Sequence, residues 1–301
     1  MENTKQKNSR IKIITHSGRF HTDDVFACAA LSILHDGNVE IVRSRDPKVC
    51  ETGDFVVDVG GIYDKETNRF DHHQEGGAGG RPNGILYSSF GLVWKHYGEL
   101  IAGSSATAEA IDKRLVQPID AGDNGIDIFS SSGEVSPYLI QDVVTTFAPA
   151  WNEERTDDEG FFEVLEIAIR VLARYIHRTQ NISLGMHYVE EAYEHADDKR
   201  IVILDGPYPW HEVLSRHSEP LYVINPDRGI AGNWKAEAIR SDLRTFKNRK
   251  NFPREWAGKQ GKELADISGV PDAVFCHNNC FIVAAQSKVG AIKLAELAAD
   301  R

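Results

Sequence analysis

Long hydrophobic runs are missing from this sequence. Hydrophobic residues occupy 41% of its 301 positions, yet no apolar stretch approaches the roughly 20 residues that a membrane-spanning helix requires. The opening residues, MENTKQKNSRIKIITH, lack the apolar centre of a secretory signal and the Arg-rich pattern of a transit peptide. The sequence therefore predicts a cytoplasmic protein without a membrane partner.

Cysteine is scarce as well. Cys28, Cys50, Cys276 and Cys280 are too few and too scattered for a disulfide framework, and they suit a reducing compartment. The segment CHNNC at 276–280 has a spacing that zinc sites use, but no second ligand pair follows it. Its flanks, AVF and FIVAAQ, favour two strands joined by an Asn-Asn turn over a zinc site.

Positive charge is limited, because the formal net charge is −11. An evenly acidic surface would repel nucleic acid. The segment 240–262 is an exception, with basic residues far outnumbering Asp242 and Glu255. These basic residues are Arg240, Arg244, Lys247, Arg249, Lys250, Arg254, Lys259 and Lys262. Such a run is commonly a solvated face, but against this acidic background it is the predicted contact for an anionic substrate.

The length favours two domains. Strand patterns at 11–15, 39–46 and 54–61 surround a helical pattern at 23–36, which predicts a doubly wound, mostly parallel α/β sheet. After the glycine-rich loop 76–84, helices are predicted at 85–98, 104–115, 137–148 and 157–196, the last as two helices bent near Gly185. Strand patterns return near residue 200, so we expect a first domain at 1–198 and a smaller α+β domain at 199–301.

Carboxylates and histidines recur where apolar strands of the first half end. They are His16, His21, Asp23 and Asp24 after the first strand, Asp58 in VVDVG, Asp71, His72 and His73 in NRFDHHQ, and Asp120 and Asp123 in PIDAGDNG. Ligands of open α/β sheets gather outside the carboxyl ends of the strands. The sequence therefore predicts that these side chains converge.

Convergence of so many carboxylates indicates divalent metal, because like charges in proximity repel one another. Mixed Asp and His ligands favour Mn²⁺ or Mg²⁺, and an aspartate can bridge two ions roughly 3.5 to 4 Å apart. Such a pair generates hydroxide near neutral pH and assists phosphoester hydrolysis. A lone Asp or His at a strand end is more often a cap or a hydrogen-bonded residue, and either Asp23 or Asp24 could simply cap its helix.

Seven ordered segments carry a family resemblance across nearly the whole chain. They are THSGRFHTDD, VVDVGGIYD, NRFDHHQ, IDAGDNG, GNWKAEAI, FPREWAGKQGKEL and VFCHNNCFIVAAQSKVGAIKLAELA. In this order they resemble the Myg (melanocyte-proliferating-gene) family of DHH-like metal-dependent hydrolases and exonucleases, within the DHH phosphoesterase superfamily.

The resemblance implies roles for individual residues. His16 and Asp24 would bind one or both of two Mn²⁺ or Mg²⁺ ions, Asp58 would bridge them, and His72 would be a further ligand. Asp120 would complete the set, Asp71 would orient His72, and His73 would face the substrate phosphate. The first motif departs from the superfamily pattern HxxxDxD and contains His21, which could replace an aspartate ligand or act in catalysis. Asp123 could likewise replace Asp120.

The resemblance also implies a substrate-binding role for the second domain, with candidate contacts at Asn233, Trp234, Arg254, His277 and Lys288. The expected activity is 3′–5′ exonucleolytic hydrolysis of RNA or short oligonucleotides by a metal-bound hydroxide. Two alternatives remain. One is a small-molecule phosphatase or pyrophosphatase, and the other is a catalytically inactive, metal-stabilised binding protein.

Overall fold

A computed structural model describes residues 10–130, 133–242, 244–245 and 247–301. The start of the chain, from which we predicted the absence of a targeting segment, lies mostly outside these ranges. The chain divides into two compact units between residues 180 and 181. Each unit has its own sheet with helices packed on it, so the protein is a mixed α/β structure.

The first unit contains a five-stranded sheet in the order β2-β1-β3-β5-β4. Its strands are β1 (Ile11–Thr15), β2 (Val39–Arg43), β3 (Phe55–Val57), β4 (Tyr63–Asp64) and β5 (Arg69–Phe70). All neighbours pair in parallel except β4 with β5. The carboxyl ends of β1, β3 and β5 therefore lie along one edge of the sheet, directly before His16, Asp58 and Asp71.

Seven helices begin within the described residues of the first unit. They are α1 (Thr22–Leu34), α2 (Pro47–Cys50), α3 (Ser89–Ala102), α4 (Ser105–Ile111), α5 (Gln117–Asp123), α6 (Ile140–Thr145) and α7 (Asp157–Glu194), with a 3₁₀ turn at Lys65–Thr67 and a π-helical segment at Asp112–Val116. α1 packs against α3, where the rings of Phe26 and Phe90 lie 5.5 Å apart and are both buried. This packing places the amino ends of α1 and α3 beside each other.

The long helix α7 differs from the sequence-based expectation. We predicted two helices bent near Gly185, but α7 runs for 38 residues without interruption. Gly185 instead permits close packing, since a Cβ there would lie 2.5 Å from Cδ of Pro209. No helix within the described residues is both long enough and apolar enough to cross a membrane.

The second unit has a five-stranded sheet in the order β6-β7-β8-β10-β9, parallel only between β6 and β7. Its elements are β6 (Ile201–Ile203), α8 (His211–Arg216), β7 (Tyr222–Pro226), β8 (Trp234–Ala238), a 3₁₀ turn at Arg254–Trp256, α9 (Gly261–Ser268), β9 (Ala273–Cys276), β10 (Ile282–Ala285) and α10 (Lys288–Ala299). Tyr222, Trp256 and Leu294 are fully buried in its core. Trp256 is thus a packing residue.

The hairpin predicted around CHNNC is confirmed. β9 and β10 pair antiparallel with Cys276 opposite Val283, and the residues between them form the turn. Cys276 and Cys280 are buried, unpaired thiols. Neither belongs to a group of three or more metal-capable side chains among the described residues, so the geometry favours the hairpin interpretation over zinc.

The basic segment 240–262 is largely engaged in local contacts. Arg249 donates to the carbonyls of Pro220 and Ser215, and Lys250 donates to the carbonyl of Ala299. Ion pairs join Arg244 to Asp242, Lys259 to Glu263 and Lys262 to Asp266. The segment is thus less available to an anionic substrate than its composition indicates.

The contact between α3 and α5 yields a stability prediction. A Cβ at Gly91 would lie 2.0 Å from Oδ2 of the buried Asp120. We expect Gly91→Ala to lower the free energy of unfolding by about 1–3 kcal/mol, because overpacking displaces the carboxylate. Urea denaturation measures the change.

Gly229→Ala is the matched control. Gly229 is exposed, and the nearest described heavy atom to a Cβ built there is Oδ1 of Asp227, at an ordinary contact distance of 3.4 Å, so its effect should stay within about 0.5 kcal/mol. Equal stabilities of the two variants would contradict the packing argument.

Candidate metal centre

His16 lies immediately after β1 and is 2% exposed. Its Nε2 is 3.2 Å from Oδ2 of Asp24 and 3.3 Å from Oδ2 of Asp58. β1 and β3 are adjacent parallel strands, so their carboxyl ends bring His16 and Asp58 together as the sequence pattern predicted.

Asp23 and Asp24 both lie in the first turn of α1 and are completely buried. Oδ1 of Asp24 accepts the backbone N–H of His21 at 2.9 Å, and Oδ2 of Asp23 accepts the backbone N–H of Ser89 at 3.2 Å. Among the described residues, the second oxygen of each carboxylate has no hydrogen-bond partner. Each aspartate therefore has one oxygen held by backbone and one available to a ligand, so capping and metal binding are compatible at Asp24.

Asp58 follows β3 with a left-handed backbone, φ 56°, and is 3% exposed. Its Oδ2 faces His16, whereas its Oδ1 lies 3.4 Å from His72 Nε2 and 3.4 Å from His73 Nδ1. Ser89 Oγ donates to the same Oδ1 at 3.0 Å. A non-glycine residue in this conformation costs of order 1–3 kcal/mol and is frequent at functional sites. The carboxylate is thus placed between two sets of candidate ligands.

The DHH segment follows β5, and Asp71 fixes its backbone. Oδ1 of Asp71 accepts the backbone N–H groups of His72 and His73 at 2.8 and 3.1 Å, and Oδ2 accepts that of Gly61 at 2.5 Å. The imidazole that Asp71 contacts is that of His73, through Nδ1 at 2.8 Å. The expectation that Asp71 orients the ring of His72 therefore needs correction, because Asp71 reaches His72 only through its main chain.

His72 Nε2 lies 3.1 Å from Asp123 Oδ2, 3.4 Å from Asp58 Oδ1 and 3.8 Å from Asp23 Oδ2. Despite these three carboxylates, it forms no hydrogen bond with any described residue. His73 has 60% of its side chain exposed, and its ring centroid lies 4.3 Å from that of His72. His72 is thus central in the cluster and His73 lies at its surface.

Asp120 and Asp123 have different environments. Oδ1 of Asp120 accepts Ser88 Oγ at 2.6 Å and the Gly91 N–H at 3.0 Å, and its Oδ2 accepts Arg81 Nη1 at 2.7 Å. Both oxygens of Asp120 are therefore used by protein donors, and we remove Asp120 from the candidate ligands. Asp123, three residues later, lies against His72 and remains the candidate ligand of this motif.

His21 belongs to two of the three groups of candidate ligand atoms that lie within 4.8 Å of one another. One group combines it with His16 and Asp58, and the other with Asp23 and Asp123. The extra histidine of the first motif therefore joins the cluster and contacts both of its halves.

The buried carboxylates differ strongly in proton affinity. Burial and the negative charge of Asp58 raise the pKa of Asp23 well above its usual value. Burial raises the pKa of Asp24 to about 7, although His16 counteracts this. Burial alone would also raise the pKa of Asp58, but His16 and His72 hold it well below its usual range. Without a cation, burial thus favours the protonated forms of Asp23 and Asp24.

The imidazoles show the complementary effect. Burial alone would lower the pKa of His72, but the nearby carboxylates of Asp123 and Asp58 raise it to about 10. The pKa of His16 is likewise raised by Asp58 and Asp24 against the effect of burial. Burial lowers the pKa of His21. Protons on His16 and His72 therefore occupy the positions that cations would take.

The donor set fits divalent cations. The buried polar atoms without hydrogen-bond partners in the described ranges include Asp23 Oδ1, Asp24 Oδ2 and His72 Nε2, and such atoms are costly unless something binds them. Carboxylate oxygens with imidazole nitrogens suit Mn²⁺ or Mg²⁺. One ion would be held by His16, Asp24 and Asp58, and the other by Asp58, His72, Asp23 and Asp123.

Ser89 and Arg81 were missed by sequence reasoning. Ser89 begins α3 and donates to Asp23 and Asp58, whereas Arg81 lies in the glycine-rich loop and holds Asp120 and Asp112. The serines Ser88 and Ser89 at the beginning of an apolar segment are a recognisable sequence signal for the start of a helix. The partners of Arg81 are remote in sequence, so no local pattern identifies them.

The candidate substrate residues all lie in the second unit. Lys288 Nζ is 5.2 Å from the ring centroid of Trp234, which is half-buried beside Asn233 at the start of β8. His277 lies in the β9–β10 turn, and Arg254 Nη1 is 3.5 Å from the carbonyl of Asn278 in that turn. Lys288 and Trp234 are therefore neighbours, with Asn233 next to Trp234, and Arg254 lies at the turn that contains His277. The role of these residues in substrate binding remains a prediction.

Because Asp123 and Asp120 have different environments, we expect substitution of one to weaken Mn²⁺ binding and substitution of the other to lower stability. Asp123→Asn should weaken Mn²⁺ binding at least about tenfold, since loss of even an indirect partner of a metal ligand costs about that much. Asp120→Asn should leave the Mn²⁺ affinity close to wild type. It should instead lower the free energy of unfolding by about 3 kcal/mol, because Arg81 loses its buried partner.

Isothermal titration with Mn²⁺ and urea denaturation measure the two quantities. Weak Mn²⁺ binding in Asp120→Asn with normal binding in Asp123→Asn would restore Asp120 as the ligand.

The retained protons predict a pH dependence of metal stabilisation. Asp24 and His72 have folded-state pKa values of about 7 and about 10, above their unfolded values. Their contributions to stability are therefore greatest at low pH and are lost as pH rises through those values. Mn²⁺ competes with the same protons, so its stabilising effect should increase between about pH 6 and about pH 8.

Thermal unfolding with and without Mn²⁺ at both pH values measures the difference in Tm. The increase should disappear in Asp58→Asn, which removes a carboxylate placed between both halves of the cluster. A metal-induced Tm shift in the wild type that is constant across this range would contradict the proton-competition account.

Comparisons with known proteins identify the family. Residues 12–299 match the MYG1_exonuc model, described as Uncharacterised protein family (UPF0160). A MYG1 protein of Schizosaccharomyces pombe is 31% identical over 97% of this chain and 98% of its own length. A MYG1 protein of Dictyostelium discoideum is 32% identical over 95% and 96%, and the Homo sapiens MYG1 exonuclease is 31% identical over 96% and 87%. The chain belongs to the MYG1 exonuclease family.

Proposed function

We propose that this protein is a metal-dependent 3′–5′ exonuclease acting on RNA or short oligonucleotides. The observation that carries the proposal is the cluster of three buried carboxylates and the partly exposed Asp123 with His16 and His72, in a chain whose mammalian relatives are named exonucleases. Two divalent ions held here would lower the pKa of a coordinated water and polarise the phosphoryl oxygens. A phosphodiester at the end of a chain is the bond that such a site would hydrolyse.

Some side chains of the site would hold the metal ions, and others would contact the substrate. Asp58 lies between His16 and His72 and gives one oxygen to each half of the site. Ser89 restrains Asp58 by its hydroxyl and Asp23 by its main-chain N–H. Little rearrangement of these ligands is then required during the reaction, which is the basis of electrostatic preorganisation.

His73 and His21 are the exposed histidines among the described residues of the cluster, and His73 belongs to the DHH segment. Its Nδ1 lies 2.8 Å from Asp71 Oδ1, which favours a proton on Nδ1. In the neutral ring Nε2 is therefore the proton acceptor, and in the protonated ring it donates. We assign His73 to contact with a substrate phosphoryl oxygen and to proton exchange there.

A second function is favoured by one observation. Arg249, Lys250 and Lys262 in the basic segment are engaged by protein oxygens, which leaves fewer cations for a long polyanion. This favours short substrates, and hydrolysis of pyrophosphate or a small phosphate ester would follow from the same metal chemistry.

An RNA degradation assay tests the proposal. Mn²⁺-loaded protein should convert a 5′-labelled RNA into a ladder of products shortened from the 3′ end. A phosphorothioate at the last linkage should slow this. Asp58→Asn should lower kcat at least about 100-fold, because it removes charge from the carboxylate facing both ion positions.

Asp54→Asn is the matched control, since Asp54 is an exposed aspartate before β3 whereas Asp58 follows the same strand. Its carboxylate accepts the Lys12 N–H, which asparagine can also accept, so activity should be unchanged. Cleavage of pyrophosphate but not of RNA would contradict the exonuclease proposal and support the second function. Tight Mn²⁺ binding without cleavage of RNA, pyrophosphate or a small ester would favour a binding protein.

A further inference from the structure

Arg45 lies beside the metal cluster in the first unit. It follows β2, and its Nη2 lies 3.1 Å from Nδ1 of His16, on the opposite side of the imidazole from Nε2. Its Nε donates to the carbonyl of Ser17 at 3.0 Å. These contacts hold the guanidinium at the rim of the cluster formed by His16 and its neighbours.

Arg45 is exposed and retains unused donors. A guanidinium has five N–H groups, and the contacts above use one on Nε and one on Nη2. Within the described ranges no carboxylate lies at ion-pair distance from it. An arginine beside a cluster of aspartates that pairs with none of them has its charge free for another anion.

Arg43, two residues earlier, shows the contrasting case. Its side chain is 1% exposed, pairs with Asp158 and donates to the carbonyl of Gly18. Its guanidinium also lies 4.6 Å from the centroid of Phe161. Arg43 is therefore a structural residue that ties β2 to α7, and the two arginines have separate tasks.

The charge balance of the site explains why a further cation such as Arg45 would help to bind an anionic substrate. Asp23, Asp24, Asp58 and Asp123 carry four negative charges when ionised, and two divalent ions balance them. An anionic substrate then gains attraction from further side-chain cations, and arginine binds phosphate through two parallel N–H donors. Arg19, exposed on the loop between β1 and α1, adds positive charge to the same region.

We infer that Arg45 binds a phosphate group of the substrate at the rim of the metal cluster. The inference rests on the proposed function for the metal centre, but it holds for any phosphate-containing substrate. It places a substrate contact in the first unit, in addition to the candidates in the second. Arg45 would contribute to substrate affinity and not to metal affinity.

Binding measurements on the full chain test this. Arg45→Met, Arg45→Lys and the wild type, each loaded with Mn²⁺, are titrated with inorganic phosphate, pyrophosphate and a phosphorothioate-linked RNA decamer. Loss of a charged hydrogen-bond pair should weaken binding about 10-fold to 100-fold in Arg45→Met. Arg45→Lys should be intermediate, since it keeps the charge without the paired donors. The affinity for Mn²⁺ alone should stay within about twofold of wild type, since neither substitution removes a proposed metal ligand.

Arg10→Met is the matched control, because Arg10 is exposed and precedes β1 at the end opposite His16. It should bind every probe as the wild type does. If RNA is cleaved, Arg45→Met should raise KM with little change in kcat, which is the signature of lost uniform binding.

Several outcomes would overturn the inference. A parallel fall in Mn²⁺ affinity would show that Arg45 acts by positioning His16, and unchanged affinity for all three probes would remove the phosphate contact. A wild type that binds none of the probes would also overturn it. Arg45-dependent binding of phosphate or pyrophosphate without binding of RNA would support the inference and contradict only the exonuclease proposal. If Arg45→Met does not fold, Arg45→Lys decides between these outcomes.

Discussion

Repulsion among buried carboxylates is the constraint on which this structure depends. Asp23, Asp24 and Asp58 are each at most 3% exposed, and Asp123 lies near them. Desolvation and like charge both oppose ionisation of such a group, so the fold is stable only if protons or cations neutralise it. Two buried aspartates with raised pKa values and a strongly basic His72 show protons in that role. Divalent ions would do the same with far greater charge density.

The rest of the first unit holds these groups in place. Asp58 adopts a left-handed backbone at the end of β3, and Ser89 at the start of α3 restrains both Asp58 and Asp23. α3 is in turn held by Asp120, which accepts from the neighbouring Ser88 and from Gly91. Asp120 is thus a buried aspartate of a site motif whose hydrogen bonds go to α3 and Arg81 and not to the candidate ligands.

The sequence predicted the cluster well because its members follow strands whose carboxyl ends meet. His16, Asp58 and Asp71 each come directly after a parallel strand, so topology alone brings them together. Orientation was less predictable. Asp120 and Asp123 are separated by less than one helical turn. Only the three-dimensional position of Arg81 shows that Asp120, and not Asp123, is the one bound by an arginine. The continuity of α7 at Gly185 was likewise missed, because the glycine is required by packing against Pro209 and not by a bend.

Charge composition alone does not show which cations are available to contact a substrate. The basic segment is conspicuous in the sequence, yet Arg249 and Lys250 bind main-chain carbonyls of their own unit. Arg45 is a single residue in the segment RSRDP, but its guanidinium lies against a histidine of the candidate metal centre and has no carboxylate partner among the described residues. Arg45 also donates to one carbonyl, that of Ser17, but it is exposed and has donors left over, whereas Arg249 is partly buried and donates to two carbonyls. We therefore expect the location of cations without carboxylate partners, more than the number of cations, to decide where an anionic substrate would bind.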